Sequence, residues 1–534
     1  MSHLHHLQWK RPVISTTLLI LAICVGVLSC GAQNERLSTS TTDYCAAIPQ
    51  NNNKLLSEYL APVTHKMRDK TGVYILEQGI EAMLSRAWLT EHAEQTIDVQ
   101  YFIFSTDNIG LIAIDYLVKA AERGVKVRIL VDDIMVDATG DELQTLAAHK
   151  NISIKIYNPV ANIGKNLFDK IVSLTTNFHQ LNQRMHNKTF TVDGKISITG
   201  GRNVADEYFG YDHQYNFRDR DVLLIGGITT KIQTSFEQFW QSKLSVDIND
   251  LVKEKLPKGY TPNFQPLHQY ACNPLNYAAS VRDKIHDMPK AITAIQQQQQ
   301  LQWLENIEYV SDLPGKNNAN KFLAGGGLAT EKLVALLQSA NKSVVIQTPY
   351  LITTAATRKI LKNLVDSGVA ISILTNSLAS NDNLEAFSGY QRDRKALLNT
   401  GIKIFEFKPD AKIRQKIMSE VMQKQLTQPP IFGLHAKSMV IDDHTAVVGT
   451  FNVDPRSANL NTENFVIIPS RKIAQEIKQG MLEEMQPENA WPVTLDWNPD
   501  GEVELMKQLK VKCDFIARFS TFSTLNGQNG TTIN

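Results

Sequence analysis

At 534 residues the chain is too long for one ordinary domain, and two are expected. Its 43% hydrophobic and 20% charged residues are those of a soluble globular protein. A formal net charge of +1 argues against a dedicated nucleic-acid binder, which would carry a strong basic excess.

Lys10 and Arg11 precede an apolar run, Val13 to Leu28, shorter than the ~20 residues of a membrane-spanning helix. A basic start, a short apolar core and small residues read as an export signal over 1–30. Val27-Leu28-Ser29-Cys30 resembles a bacterial lipobox, which makes Cys30 the lipidation site; an uncleaved N-terminal anchor is the alternative. Either places the protein in a bacterial cell envelope, tethered to a membrane on the exported side. Gly31 after the cysteine favours the outer membrane in a cell that has one. Residues 31–55 are polar and aperiodic, a tether. Of the other cysteines, Cys24 falls in the leader, while Cys45, Cys272 and Cys513 leave open one disulfide or three free thiols. No cysteine pair has metal-ligand spacing, so no zinc site is expected.

Apolar residues at Ile80, Met83, Leu84, Ala87 and Trp88 share one helical face. A strand follows over 96–103, then a helix from Gly110 to Glu122 and a strand over 125–131. This alternation predicts an α/β domain, bounded at 56–250. Lys165 to Met185 has helical amphipathicity, read as core, with a lipid-facing role as the alternative. Residues 251–320 break the pattern with Pro, Asn and the run Gln296 to Gln300, and read as a linker or insert. The order then returns over 321–518: helix 333–340, strand 344–350, helix 357–366, strand 368–374. Gln100 and Gln347, Gly124 and Gly368, and His186 and His435 recur at a nearly constant offset, which implies an internal duplication. The tail, 519–534, is Ser/Thr/Asn/Gly-rich and reads as disordered.

One pattern occurs in both copies. His186-Asn187-Lys188 is followed by Asp193, Gly200-Gly201-Arg202 and Asn203. His435-Ala436-Lys437 is followed by Asp442, Gly449-Thr450-Phe451 and Asn452. The lysine is two residues after the histidine, the aspartate five beyond it, and the asparagine ten further on, in both. His-x-Lys on an extended segment puts both side chains on one face. Asp193 and Asp442 fall in turns, a position that favours a structural role even though they complete the motif. The small residues at 200–201 and 449–450 let a backbone come close to a ligand. Two imidazoles, two ammoniums and two carboxamides around one point suit a phosphate.

The paired His-x-Lys-x4-Asp motifs resemble those of the phospholipase D superfamily. Arg184-Met185-His186-Asn187-Lys188 with Gly200-Gly201-Arg202-Asn203, and Gly449 to Ser457 with Asn461-Thr462-Glu463, resemble the bacterial cardiolipin synthase branch, its C-type synthases in particular. The likeness runs from about Leu84 to Ile468. It implies two phospholipase D-like domains, each a mixed sheet flanked by helices, packed about a pseudo-twofold around one shared site. It implies the catalytic set His186, Lys188, Asp193, His435, Lys437 and Asp442, with no metal and no cofactor. His186 is expected as nucleophile and His435 as acid and base, the reverse remaining open. Asn203, Asn452 and Ser457 are expected to bind substrate, with Arg456 either lining the site or held in a solvated ion pair. Asp219 and Glu463 align opposite each other and are expected to orient the histidines, with Asp221 in reserve.

The leading expectation is a membrane-tethered phosphatidyl transferase that makes cardiolipin from phosphatidylglycerol and a second phospholipid through a phosphohistidine. A phospholipase D hydrolase releasing phosphatidic acid is the alternative, followed by a nucleic-acid phosphodiesterase and a non-catalytic lipid-binding lipoprotein. Phospholipids and the membrane surface are the expected partners, with no nucleic acid and no obligate protein partner.

Overall fold

A computed structural model describes residues 42–48, 54–133, 138–159, 183–277, 279–290, 300–317, 325–418 and 429–503. The export signal with Cys30, most of the tether, most of Lys165 to Met185, most of the glutamine run, Cys513 and the tail lie outside the described residues. No helix among the described residues is long and apolar enough to cross a membrane.

The described residues from Asp43 onward form one compact unit. The first half carries β1 (Thr71–Leu76), α1 (Gly79–His92), β2 (Thr96–Tyr101), α2 (Asn108–Glu122), β3 (Lys126–Asp132), α3 (Gly140–Ala147) and β4 (Ile152–Tyr157). β5 (Thr189–Val192), β6 (Ile196–Gly200), β7 (Tyr215–Arg218), β8 (Asp221–Gly226), α4 (Thr229–Trp240) and β9 (Ser245–Asp247) complete it. The insert supplies α5 (Gln265–Cys272), α6 (Ala279–His286), β10 (Gln302–Leu304) and β11 (Glu308–Ser311). The second half follows with α7 (Leu328–Gln338), β12 (Ser343–Gln347), α8 (Ala355–Asp366), β13 (Ala370–Asn376), α9 (Leu384–Leu398) and β14 (Lys403–Phe407). Then come β15 (Ile431–Leu434), β16 (Ser438–Ile441), β17 (Thr445–Gly449), β18 (Asn464–Pro469), α10 (Arg471–Glu484) and β19 (Ala490–Val493).

One sheet runs β10-β1-β8-β6-β5-β2-β3-β4-β9 and the other β11-β18-β17-β16-β12-β13-β14-β19. Apart from β10 the two orders correspond strand for strand. In each, two parallel crossovers (β2-β3-β4, β12-β13-β14) adjoin an antiparallel hairpin (β5-β6, β16-β17). The repeated glycines have a local cause. Asp107 and Thr354 cap α2 and α8 by accepting the N–H groups of Gly110 and Thr357. Gly124 and Gly368, at φ 103° and 93°, end the same helices in the left-handed region.

The stretch 251–320 is more than a connector. It adds β10 to the edge of the first sheet and β11 to the edge of the second. The structure also adds β1 and β4, which were not among the predicted strands, although Ile152, Ile154 and Ile156 of β4 alternate with the exposed Ser153 and the half-buried Lys155. In the strands where the two halves meet, side chains alternate in destination. Val222 and Leu224 of β8 enter a core shared with Val440, Val448, Val466 and Ile468 of the second half. Ile225 faces the first half's own core, with Leu223 packed against it, and Phe465 and Ile467 face the second's. The halves are therefore joined by one continuous apolar layer between their sheets. Cys45 is joined to Cys272 by a disulfide that ties the start of the unit to α5.

Candidate active site

Each motif hairpin has its histidine and lysine at one end and its aspartate at the other. Asp193, at φ 51°, accepts the N–H groups of Glu94, Gln95 and Thr96 at 3.0, 2.7 and 2.9 Å. Asp442, at φ 52°, accepts those of Asn341, Lys342 and Ser343 at 2.8, 2.7 and 2.9 Å. This corrects the grouping of Asp193 and Asp442 with the catalytic residues. They fasten the hairpin turn to the chain entering β2 or β12, with all of β5 or β16 between them and the imidazoles. The small residues at the other end also serve the fold. A Cβ on Gly201 would lie 2.0 Å from Asp219 Oδ1, and one on Gly449 2.3 Å from the Asn464 carbonyl oxygen. Their smallness admits neighbouring strands, where the sequence suggested a ligand.

The segments leading into the two hairpins are exchanged between the halves. His186 N donates to Thr462 O at 3.0 Å, and Thr462 N to Arg184 O at 2.9 Å. β15 runs parallel to β7, and the His435 and Ala436 N–H groups both donate to Arg218 O at 2.8 and 3.0 Å. Each histidine thereby meets the acid of the other half. His186 Nδ1 lies 2.8 Å from Glu463 Oε2, and His435 Nδ1 lies 2.6 Å from Asp219 Oδ2. Asp221, the reserve candidate, is removed from that role: its carboxylate takes the Arg86 guanidinium at 2.8 Å and the Arg202 N–H at 3.2 Å. The imidazoles are braced by rings, Phe102 at 5.1 Å from His186, and Tyr208 and Phe217 at 5.0 and 4.8 Å from His435.

Lys188 and Lys437 are buried beside them. Lys188 Nζ donates to His186 O at 3.0 Å, and Lys437 Nζ to His435 O at 2.6 Å. Lys437 Nζ also sits 3.0 and 3.1 Å from the two ring nitrogens of His435. Burial pushes the Lys188 ammonium down to about 7, with Lys437 adding to it, and pushes Lys437 down to about 8. Burial likewise pushes His186 down to about 4, against the pull of Glu463. His435 goes down to about 3 through burial and then the Lys437 charge, against Asp219. Burial acts upward on the two carboxyls, but the imidazoles and lysines outweigh it and hold both below the ordinary range. An ionised carboxylate can only accept, so at 2.8 and 2.6 Å each ring donates Nδ1–H to its acid, and burial favours the neutral form of both imidazoles. Histidine in water titrates at about 6.5, and removal from water lowers both rings. A phosphodiester between the two halves would return positive charge to the site.

Asn203 Oδ1 accepts the Ile103 N–H at 3.0 Å, and its amide faces the Tyr208 phenol. Asn452 is buried with Oδ1 unpartnered, so the second carboxamide keeps hydrogen-bonding capacity. Ser457 is corrected as a substrate ligand. It is fully buried, and its Oγ accepts the Asn452 N–H at 3.3 Å, which positions that asparagine. Arg456 is exposed at the surface.

Several supporting residues escaped the sequence reading. Arg218 and Arg220 flank Asp219 and are both buried. Arg218 Nε meets Glu484 at 2.7 Å, Arg220 Nε meets Glu77 at 2.7 Å, and Arg220 Nη1 meets Gln347 at 2.9 Å. Arg218 also pairs with Glu77. Thr450 Oγ1 donates to Glu463 Oε2. Asn464 joins the halves by accepting the Lys188 N–H at 3.0 Å and donating to Thr199 at 2.7 Å. The one available signal was the Arg-Asp-Arg triplet at 218–220, charged side chains leading into an otherwise apolar strand. Among the described residues no group of three or more His, Cys, Asp or Glu is placed to hold a metal ion.

The family described as cardiolipin synthase, PLD-like domain, matches residues 89–240 and 333–485, one segment in each half. Cardiolipin synthase C of Escherichia coli is 32% identical over 441 residues, 83% of this chain and 90% of that protein. An uncharacterized protein of Helicobacter pylori is 33% identical over 423 residues, 79% of this chain and 80% of its own length. The crystal structure of phosphatidylserine synthase from Haemophilus influenzae shares the fold, with a TM-score of 0.53 at 13% identity over 86% of this chain and 99% of that one. Matched segments over more than half of the length, and a relative aligned across most of both chains, make this protein a member of the phospholipase D superfamily, in the family of cardiolipin synthase PLD-like domains.

Proposed function

We propose that the protein is a phosphatidyl transferase that makes cardiolipin from phosphatidylglycerol and a second phospholipid, acting from a membrane tether on the exported side of the envelope. The observation that carries the reading is the crossed pair His186–Glu463 and His435–Asp219 with Lys188 and Lys437 in the same buried site. Neutral imidazoles held by carboxylates at Nδ1 present Nε2 as nucleophile or base. In the first step His186 Nε2 attacks phosphorus and a P–N bond forms. The P–O bond to the leaving alcohol breaks, and that oxygen takes a proton from His435. In the second step His435 Nε2 removes the proton from an acceptor lipid hydroxyl, whose oxygen attacks phosphorus as the P–N bond breaks. The substrate's own negative charge, brought between the imidazoles, raises the proton affinity of His435, which takes a proton from solvent, or keeps the one removed from the preceding acceptor, before the first step. Lys188, Lys437 and Asn452 would balance charge on the phosphoryl oxygens.

Export is supported by the leader and by the Cys45–Cys272 disulfide, since such bonds persist in oxidising compartments. The test is a product assay with labelled phosphatidylglycerol in mixed micelles, with and without phosphatidylethanolamine, beside His186→Ala and His435→Ala. Cardiolipin from the wild type alone is the expected result. Phosphatidic acid without cardiolipin would replace transfer by hydrolysis, and absence of lipid turnover would overturn both.

A further inference from the structure

The segment from Ser311 to Lys316 lies in the stretch that the sequence marks as linker, yet it touches several segments that build the His186 side of the site. Asp312 N donates to Glu463 O at 2.9 Å, and Asp312 Oδ2 accepts the Glu463 N–H at 3.0 Å. Both backbone groups of the residue that orients His186 are thus held by one aspartate. Asp312 Oδ1 accepts the Ala329 N–H at 3.0 Å, at the start of α7. Lys316 Nζ donates to Asp312 Oδ2 at 2.9 Å, to Ser457 O at 2.8 Å and to Asn461 O at 3.0 Å. Its three ammonium protons are all used, and the two side chains are only 3% and 1% exposed. Gln183 Nε2 donates to Lys316 O, and Asn187 Nδ2 donates to Ser311 Oγ at 3.0 Å.

Burying such a pair carries a desolvation cost that apolar side chains of similar size would avoid. Chain connection alone therefore gives little reason for it. Its contacts end instead on backbone next to site groups: Glu463 itself, Ser457 with Asn452 on its hydroxyl, and Asn461 beside Thr462, which pairs with His186. The other half-site has a different device. Asp219 stands between Arg218 and Arg220, which are held by Glu77 and Glu484. The two histidines thus depend on separate buried ionic supports.

We infer that Asp312 and Lys316 are positioning residues for Glu463, and through it for the distance and tilt of His186, with no such influence on His435. The kinetic consequence rests on the proposed transferase reading; the structural consequence does not. The test uses full-length Lys316→Met, Asp312→Asn and the double variant, which leaves no unpaired charge and remains testable if a single change prevents folding. Nitrogen NMR of labelled histidines, assigned with single His→Gln variants, reads tautomer and titration at each ring. The expected result is a changed His186 signal and pKa with His435 unmoved, and kcat for lipid turnover about 10- to 100-fold lower with KM within about twofold. A lowered melting temperature with neither ring altered, or both rings altered alike, would overturn the inference in favour of a purely structural strap. If the wild type turns over no lipid, the transferase reading fails while the NMR result still decides the positioning role.

Discussion

Replacing Asp219 by asparagine keeps the side chain's shape and removes its charge. The asparagine Oδ1 can still accept the Arg220 N–H that Asp219 takes at 2.7 Å. Its Nδ2 would then face His435 Nδ1, now 2.6 Å from a carboxylate oxygen, and would force the ring proton onto Nε2. His435 could no longer accept a proton at Nε2, and its protonated form would lose its counter-charge. Charges about 4 Å apart at an effective dielectric of about 20 interact by about 4 kcal/mol, or about three decades in rate. A kcat loss of about 10³-fold is therefore expected, comparable to the ~10⁴-fold cost of the same exchange in a serine-protease triad. Single-turnover assays would follow loss of the headgroup and appearance of cardiolipin separately, and NMR would report the His435 tautomer. A kcat within about threefold of wild type, with Nδ1–H retained on His435, would refute the crossed-pair mechanism.

Three further outcomes follow from the same geometry. Burial sets His186 at about 4 and His435 at about 3, whereas unfolded histidine titrates near 6.5. The unfolded chain binds more protons below 6.5, so these groups cost nothing above that pH and destabilise increasingly as pH falls toward 4. Between pH 6.5 and 5 the two sites together are worth at most about 4 kcal/mol. Urea unfolding should show the wild type losing more stability than a His186→Gln/His435→Gln variant, and equal losses would contradict neutral buried imidazoles. Asp193→Ala or Asp442→Ala removes the acceptor of three backbone N–H groups and should cost about 2–3 kcal/mol of stability, with kcat per folded molecule nearly unchanged; a selective loss of kcat would restore these aspartates to the chemistry. Cys272→Ser opens a link between residues 227 apart and should lower stability by about 2–5 kcal/mol. The same loss should appear on reducing the wild type, and an unchanged denaturation midpoint in both would argue against the bond.

The chemistry-bearing residues were legible because their signals are local. A histidine two residues before a lysine, an aspartate able to hold a left-handed turn, and glycines that end equivalent helices depend on chain geometry over a few residues. Their recurrence at one offset then implied two similar domains. Which acid serves which histidine was not legible, because His186 and Glu463 are 277 residues apart and His435 and Asp219 are 216 apart. The exchange exists only once the two sheets share a core. The same holds for Ser457, whose hydroxyl is taken by a neighbour's backbone, and for Asp312 and Lys316, read as linker. It holds most for protonation. A sequence assigns histidine its value in water, while the depressed imidazoles and lysines arise chiefly from their removal from water, which is a property of tertiary structure alone.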